Sequence, residues 1–176
     1  MKVVIISDTH GHAGNLKGVI EKVWPVDALI HCGDVEGEED YIAEMAGCPL
    51  YVVAGNNDYF STLEREMEFE LGGKKIFLCH GHYYGVSMGA ETIREEGESR
   101  KVDIVMYGHT HRPYLDIRKN ITVLNPGSLA YPRQIPRDPS YMVMEIDSGG
   151  DAHFTVRYLK RDVEKPFKNF KKYVDF

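Results

Sequence analysis

Residues 2–10, KVVIISDTH, show the pattern that decides the fold, in which a short apolar run ends directly in aspartate and histidine. Further apolar runs lead into four similar motifs, namely Gly33-Asp34, Gly55-Asn56-Asn57-Asp58, His80-Gly81-His82 and Gly108-His109-Thr110-His111. Short β-branched runs that end at Gly, Asp or Asn predict buried strands. Because open α/β sheets bind ligands beyond the carboxyl ends of their strands, the five motifs predict one shared polar site.

The rest of the chain indicates how these strands are connected. The first half alternates strands with amphipathic segments near residues 15–24 and 38–46, which predicts helices joining parallel strands. Another helix is predicted over residues 89–100. In the second half, strand-like segments flank Gly72-Gly73, Lys119-Asn120 and residues 148–151, which predicts three hairpins. We therefore expect an α/β fold of two packed sheets with helices outside.

Length and tail composition predict one domain and a short extension. The 176 residues suit a single domain, assigned to residues 1–160, and residues 161–176 form a basic tail. Apolar tail residues recur at helical spacing after Pro166, which predicts an amphipathic segment. This segment either packs on its own domain or contacts another subunit, so a homo-oligomer stays open. The apolar positions are Phe167, Phe170, Tyr173 and Val174.

Charge and hydropathy narrow the classes of partner. The net charge of −6 argues against a nucleic-acid duplex, because phosphate contacts need a basic surface. No apolar stretch approaches the ~20 residues of a membrane span, and Asp8 interrupts the first apolar run, against a signal peptide. The three cysteines show no paired spacing and fit reduced thiols. We therefore expect a cytoplasmic protein without a membrane partner.

The side chains of the motifs predict a metal site. Imidazole and carboxylate together suit Mn, Fe, Co, Ni or Zn better than Ca, which prefers oxygen alone. Alternate residues of an extended segment point the same way, so Asp8 and His10 are expected to face one ion from an extended Asp8-Thr9-His10. Two divalent ions about 3.5–4 Å apart can clamp a phosphate and activate a water.

The motif order, D-x-H, G-D, G-N-x-D, H and G-H-x-H, resembles that of the calcineurin-like metallophosphoesterases. The short length, His80-Gly81-His82 and Asn125-Pro126-Gly127-Ser128 are similar to the small bacterial and archaeal phosphodiesterases of that superfamily. The resemblance extends from Lys2 to about Lys160. It implies a four-layer α-β-β-α sandwich of two mixed sheets with helices outside, a fold shared with the metallophosphoesterase-like subunit of retromer.

The resemblance also implies a ligand set for two divalent ions per chain. Mn is the first choice of metal, with Ni, Fe, Co or Zn as alternatives. Asp34 would bridge the ions. One ion would be bound by Asp8, His10 and His111, and the other by Asn56, His80 and His109. With a bridging hydroxide the site would carry a formal charge of about +1, which complements a singly charged phosphodiester better than a dianionic monoester.

Three further residues are predicted to assist catalysis: Asn57, Asp58 and His82. Many relatives carry histidine where this chain has Asn57, and that histidine lies over the phosphate. Asparagine can donate a hydrogen bond to a phosphoryl oxygen but cannot deliver a proton near neutral pH. General acid help is worth ~10²–10⁴-fold, so good leaving groups should react best unless His82, His12 or a water substitutes. Asp58 is expected to accept hydrogen bonds and orient its neighbours.

These features together predict a phosphoric diester hydrolase in which a hydroxide activated by two metals attacks a small phosphodiester. A phosphomonoesterase using the same site and a non-catalytic binding scaffold of the same fold are the alternatives. Retention of all seven ligand positions favours the enzyme. Cyclic nucleotides, dinucleotides, phospholipid headgroups and short oligonucleotides all fit this prediction.

Overall fold

The fold is built on two mixed five-stranded sheets, which the computed structural model describes within residues 1–159. The first sheet has the strand order β10-β9-β1-β2-β3 and the second β4-β5-β6-β8-β7. The first comprises β1 (Lys2–Ile6), β2 (Ala28–His31), β3 (Leu50–Val52), β9 (Ser140–Ile146) and β10 (Ala152–Tyr158). The second comprises β4 (Glu66–Leu71), β5 (Lys74–Cys79), β6 (Ile104–Met106), β7 (Pro113–Ile117) and β8 (Thr122–Pro126).

Each sheet combines three parallel strands with antiparallel pairs, on one side of the first sheet and at both edges of the second. In the first sheet β1, β2 and β3 run parallel, and Ile5 of β1 lies opposite Ile30 of β2. In the second sheet β5, β6 and β8 run parallel, while β4 and β7 pair antiparallel at the two edges. The three predicted hairpins are confirmed as β4–β5, β7–β8 and β9–β10.

Three apolar clusters divide the molecule into four layers. The central cluster lies between the sheets and includes Ile5, Ile30, Leu78 and Met106. A second cluster packs α1 (Asn15–Val23) and α2 (Glu39–Ala46) on the outer face of the first sheet. A third packs α3 (Glu91–Arg100) on the outer face of the second sheet. The predicted α-β-β-α sandwich is confirmed.

The helices form where the sequence indicated, and their ends have local causes. Helix α1 buries Leu16, Val19 and Val23 and ends at Trp24, which is extended because proline follows it. Helix α2 ends at Gly47, whose left-handed conformation suits glycine. Helix α3 has a largely polar sequence but lies close to the second sheet. A Cβ on Gly97 would come within 2.4 Å of the Val105 side chain, so glycine permits this close packing.

Residues 160–176 lie outside the described part of the chain. The predicted tail over residues 161–176 and the domain boundary at residue 160 therefore stay predictions. Within residues 1–159, every helix is too short or too polar to cross a membrane.

Candidate metal centre

The seven predicted metal ligands lie in five loops that each follow a strand. Asp8, Asp34 and Asn56 come after β1, β2 and β3 of the first sheet. His80 follows β5 directly, and His109 and His111 follow β6 of the second sheet. The two groups meet, since the Oδ1 atom of Asn56 is 2.9 Å from the Nδ1 atom of His109. The parallel strands of both sheets therefore deliver their polar residues to one place.

Left-handed backbone directs these side chains inward. Five of the seven residues have a positive φ between 48° and 68°: Asp8, His10, Asp34, His109 and His111. The predicted extended geometry of Asp8-Thr9-His10 is wrong, because β1 ends at Ile6 and both outer residues are left-handed. The two side chains still converge, with His10 Nε2 3.8 Å from Asp8 Oδ1. Such strain costs ~1–3 kcal/mol per residue and concentrates at functional sites.

Three of the histidines are oriented by oxygen atoms behind them. The Nδ1 atom of His80 lies 2.7 Å from the carbonyl oxygen of Cys32, and that of His111 lies 2.6 Å from the carbonyl oxygen of Tyr131. The Nδ1 atom of His10 lies 2.8 Å from a carboxylate oxygen of Glu36. These oxygens can only accept, so each Nδ1 carries the proton and each Nε2 presents a lone pair in the neutral ring. Metal-binding histidines are held in this way.

The Nε2 atoms point at carboxylate oxygens and at one another. His111 Nε2 is 3.1 Å from Asp8 Oδ1, and His10 Nε2 is 3.2 Å from His111 Nε2. Asp8 is fully buried, and its Oδ1 atom makes no hydrogen bond within the described chain. Buried polar atoms are normally satisfied. Lone pairs that converge around an unsatisfied buried oxygen fit a bound cation.

A second set of donors surrounds Asn56. Its Oδ1 atom lies 3.1 Å from His80 Nε2, in addition to the contact with His109. The same His80 nitrogen is 3.3 Å from Asp34 Oδ2, which is also 3.7 Å from His10 Nε2. Asp34 therefore lies between the two sets, where a carboxylate could bridge two ions.

The distances also group the ligands in a way that the sequence did not indicate. Asp8, His10 and His111 offer ligand atoms within 4.8 Å of one another, and so do Asp8, Asp34 and His80. Asp8 thus lies near donors of both sets, although the motif resemblance assigns it to one ion.

Electrostatics keep both aspartates ionised. Burial raises the pKa of Asp8, but contacts with His111 and His80 outweigh it and lower the pKa below its ordinary value. Asp34 shows the same balance, in which burial is outweighed by His80 and by two hydrogen bonds from Asn57, so its pKa is also lowered. Burial lowers the pKa of His80, but hydrogen bonding to Asp34 and the charge of Asp8 raise it overall. The pocket thus favours positive charge at its centre.

The predicted catalytic residues occupy three different environments. Asn57 contacts Asp34, donating its backbone N–H to Oδ1 at 2.8 Å and its side-chain amide to Oδ2 at 2.7 Å. Asp58 accepts backbone N–H groups from both flanking loops, including Asp34 at 2.9 Å and Gly55 at 2.6 Å. His82 lies against the ring of His80 with 5.4 Å between centroids. Burial, together with the neighbouring His80 and His109, lowers the pKa of His82 to about 4.

Two residues that orient the site were missed by the sequence analysis. Glu36 holds His10, but Asp34 and Glu36 both have left-handed backbone, so no strand periodicity indicates this contact. Tyr131 holds His111 through its carbonyl oxygen, for which the sequence carries no signal because any residue has that group. Ser128 supports this loop: its hydroxyl donates to the Asp8 carbonyl at 2.8 Å and accepts the Tyr131 N–H at 2.7 Å.

His31 is a buried histidine whose hydrogen bonds are satisfied. Its Nδ1 atom accepts the N–H of Gly33 at 3.1 Å, and its Nε2 atom lies 3.1 Å from the hydroxyl of Thr9. Burial lowers its pKa to about 4, so the neutral ring is part of the folded structure.

Comparisons with known proteins identify the family of this chain. Residues 1–149 match the model of the calcineurin-like phosphoesterase superfamily domain. A probable metallophosphoesterase of Bacillus subtilis, YsnB, is 33% identical over 159 residues, covering 90% of this chain and 90% of that protein. The phosphodiesterase MJ0936 of Methanocaldococcus jannaschii is 30% identical over 145 residues, covering 72% of this chain and 83% of that protein.

A solved structure shows the same fold at lower identity. Vps29 from Entamoeba histolytica, determined in complex with zinc, aligns with a TM-score of 0.76 and 24% identity, covering 94% of this chain and 96% of that one. The predicted similarity in fold to the retromer subunit is confirmed.

Fold and site together define a class of protein, the phosphoesterases built on a two-sheet sandwich with aspartate and histidine at the strand ends. The family match over residues 1–149 makes the assignment specific. The chain belongs to the calcineurin-like phosphoesterase superfamily.

Proposed function

We propose that this protein is a dinuclear metal-dependent phosphodiesterase that hydrolyses a small phosphodiester, with Mn²⁺ as the first choice of metal. The observation that carries the proposal is the convergence of histidine Nε2 atoms on Asp8 and Asp34, with a buried Asp8 oxygen left without a hydrogen bond. Retention of all seven predicted ligand residues supports an enzyme over a binding scaffold of the same fold. The phosphodiesterase name of the archaeal relative supports the same reading.

The donor set fits two divalent ions that share Asp34. Asp8, His10 and His111 would hold one ion, and Asn56, His80 and His109 the other. When bound, two such ions position a phosphate and lower the pKa of a water. The protein's part is to hold these donors in place through the contacts behind the histidines, which restrict the rings to one tautomer.

The charge around the site favours a diester over a monoester. Glu36 and Asp58 add two carboxylates next to the ligands, through His10 and through the backbone of Asp34. With two divalent ions, their two aspartates and a hydroxide, the formal charge of the site is about +1. The carboxylates of Glu36 and Asp58 lower it to about −1. A dianionic monoester would meet more repulsion there than a singly charged diester. Monoester hydrolysis is therefore expected to be the weaker activity.

None of the predicted catalytic residues is well suited to protonate the leaving group. The Asn57 amide is engaged with Asp34 and has no ionisable proton. His82, whose pKa is lowered to about 4, is neutral at pH 7 and therefore a poor acid. We expect esters with good leaving groups to be hydrolysed fastest.

The test combines metal analysis with paired substrates. The Mn²⁺-loaded protein should contain two ions per chain, located by anomalous scattering, and should hydrolyse bis(4-nitrophenyl) phosphate faster than 4-nitrophenyl phosphate. Asp34→Asn should lose both ions and nearly all activity. His153→Asn, which changes an exposed histidine of β10, is the matched control and should keep both. One ion per chain, ions elsewhere, or faster hydrolysis of the monoester would contradict the proposal.

We further propose that the catalytic domain spans residues 1–160 and that residues 161–176 form a separate amphipathic tail. A cytoplasmic location is proposed with it. Limited proteolysis that removes the tail without loss of activity would support the boundary, and loss of folding on truncation at residue 160 would contradict it.

A further inference from the structure

Exposed hydrophobic side chains are frequent in the loops that carry residues of the predicted metal centre. Of the nine large hydrophobic residues exposed within residues 1–159, six lie in the three loops β3–β4, β5–α3 and β8–β9. The first two loops contain the predicted ligands Asn56 and His80, and the third carries the Tyr131 carbonyl that orients His111. Large exposed apolar side chains next to a polar site can mark a binding surface. The six are Tyr59, Phe60, Tyr83, Met88, Tyr131 and Ile135.

Two of these residues are tyrosines in contact with the histidine rings of the site. Tyr131 is 48% exposed, and its ring centroid lies 5.5 Å from that of His10. Tyr83 is 63% exposed, and its ring lies 4.1 Å from that of His82, which in turn lies 5.4 Å from His80. His10 and His80 belong to opposite halves of the ligand set. Each tyrosine therefore lies near a predicted ligand of a different ion, Tyr131 beside His10 and Tyr83 one ring away from His80.

A positively charged side chain also lies over the Tyr83 ring. The guanidinium of Arg65 lies 5.4 Å from the ring centroid, a cation–π distance, and Arg65 donates a hydrogen bond to the Tyr83 hydroxyl. This contact orients the ring. It also provides a positive charge at the rim of an otherwise acidic protein, which suits an anionic ligand.

We infer that Tyr83 and Tyr131 determine substrate specificity by stacking on planar ring groups of the ester, so that the substrate is an aryl or nucleoside phosphodiester. The inference rests on the proposed phosphodiesterase function. A phosphodiester carries two organic groups on its phosphate, and each predicted ligand set has one exposed tyrosine ring near it. Tyrosine stacks on any planar base because every base has a π-face. Aliphatic esters, such as glycerol diesters, would gain little from these rings.

Binding of slow-reacting ligands tests the inference without relying on turnover. Calorimetry on the Mn²⁺-loaded full chain should give tighter binding of diphenyl phosphate than of dicyclohexyl phosphate, although cyclohexyl groups are the more hydrophobic. Tyr83→Leu and Tyr131→Leu should each reduce that preference by about fivefold or more, the effect of ~1 kcal/mol of stacking. Tyr131→Phe keeps the ring and should keep the preference. Tyr41→Leu, at a tyrosine on α2 with 49% exposure, is the control away from these ring contacts.

Turnover of three diesters with one leaving group separates the two sources of planar rings. The substrates are the 4-nitrophenyl phosphodiesters of phenol, cyclohexanol and the thymidine 5′-hydroxyl. The kcat/KM of the phenyl or thymidine ester is divided by the kcat/KM of the cyclohexyl ester. Each ratio should fall in the leucine variants, mainly because KM of the ring-bearing ester rises. If the ratio falls more for the thymidine ester, the natural substrate carries a nucleoside. If it falls more for the phenyl ester, the natural substrate carries a simple aryl group. A ratio unchanged in both leucine variants, or no binding preference in the parent, would overturn the inference even if all three esters are hydrolysed. No hydrolysis of any ester would instead refute the proposed function, and the calorimetric preference would still decide the role of the rings.

Discussion

Replacing Asp58 with asparagine should weaken the predicted metal centre although no predicted ligand is replaced. The Asp58 carboxylate accepts backbone N–H groups of Asp34, Val35 and Glu36 from one loop and of Gly55 from another, at 2.6 to 3.2 Å. Hydrogen bonds to a charged group contribute ~1.5–3 kcal/mol each. An amide keeps one acceptor oxygen but turns an NH₂ group toward N–H donors. Because Asp58 is partly exposed and water can replace some contacts, we expect a net loss of ~2–3 kcal/mol in the free energy of unfolding.

Two measurements check this expectation. For a domain of this size, ~2–3 kcal/mol corresponds to a fall in Tm of about 4–12 °C, measured in the presence of chelator. The loop that carries Asp34 is positioned by these hydrogen bonds, so Mn²⁺ affinity measured by calorimetry should fall about 10–100-fold. Asp147→Asn is the matched control, since that carboxylate also accepts backbone N–H groups, in the β9–β10 turn. A change in Mn²⁺ affinity below about threefold, or an equal change in the control, would refute the reasoning.

Three further outcomes are expected. Chelator should abolish activity and leave the far-UV circular dichroism unchanged, because the three apolar clusters contain no ligand residue. Asn57→His should speed diesters with poor leaving groups about tenfold or more and barely alter nitrophenyl esters, measured as the slope of log kcat against leaving-group pKa. Unfolding by urea in chelator should show stability falling as the pH drops from 6.5 to about 4, because the folded-state pKa of His31 lies below its unfolded value, and His31→Gln should flatten that dependence.

Each of these expectations has a result that contradicts it. Loss of secondary structure in chelator would make the metals structural. Equal rate changes for good and poor leaving groups in Asn57→His would mean that another group already supplies the proton. A His31→Gln variant with the parent's pH dependence would assign the acid sensitivity to other residues.

Much of the fold could be predicted because its signals are local. The runs before Asp8, Asp34 and His80 are short, apolar and β-branched, and each forms a strand that ends within three residues of the ligand. The first two helices end within two residues of the predicted segments, and the structure shows that Pro25 and Gly47 end them through local backbone effects.

The geometry of the site could be predicted only in part. Residue types and motif order placed seven donors together, yet the left-handed conformation of Asp8 and His10 depends on tertiary contacts that no local pattern encodes. The contact of Asn57 with Asp34 escaped prediction for a similar reason. An asparagine amide can face a phosphate or a neighbouring carboxylate equally well, and only the path of the loop decides which.

The left-handed residues of the metal centre have a consequence for how this chain can change over evolution. Each such residue other than glycine costs ~1–2 kcal/mol relative to a right-handed conformation, and five of the predicted ligands bear that cost at once. The packing of the apolar layers must offset this cost, so the conformation of the site lowers the net stability of the whole sandwich. Mutations that weaken the sheets would therefore be tolerated less well in an active protein than in a relative whose ligand positions had reverted to glycine. Such a relative would be more stable but inactive, which is the usual trade-off between stability and activity.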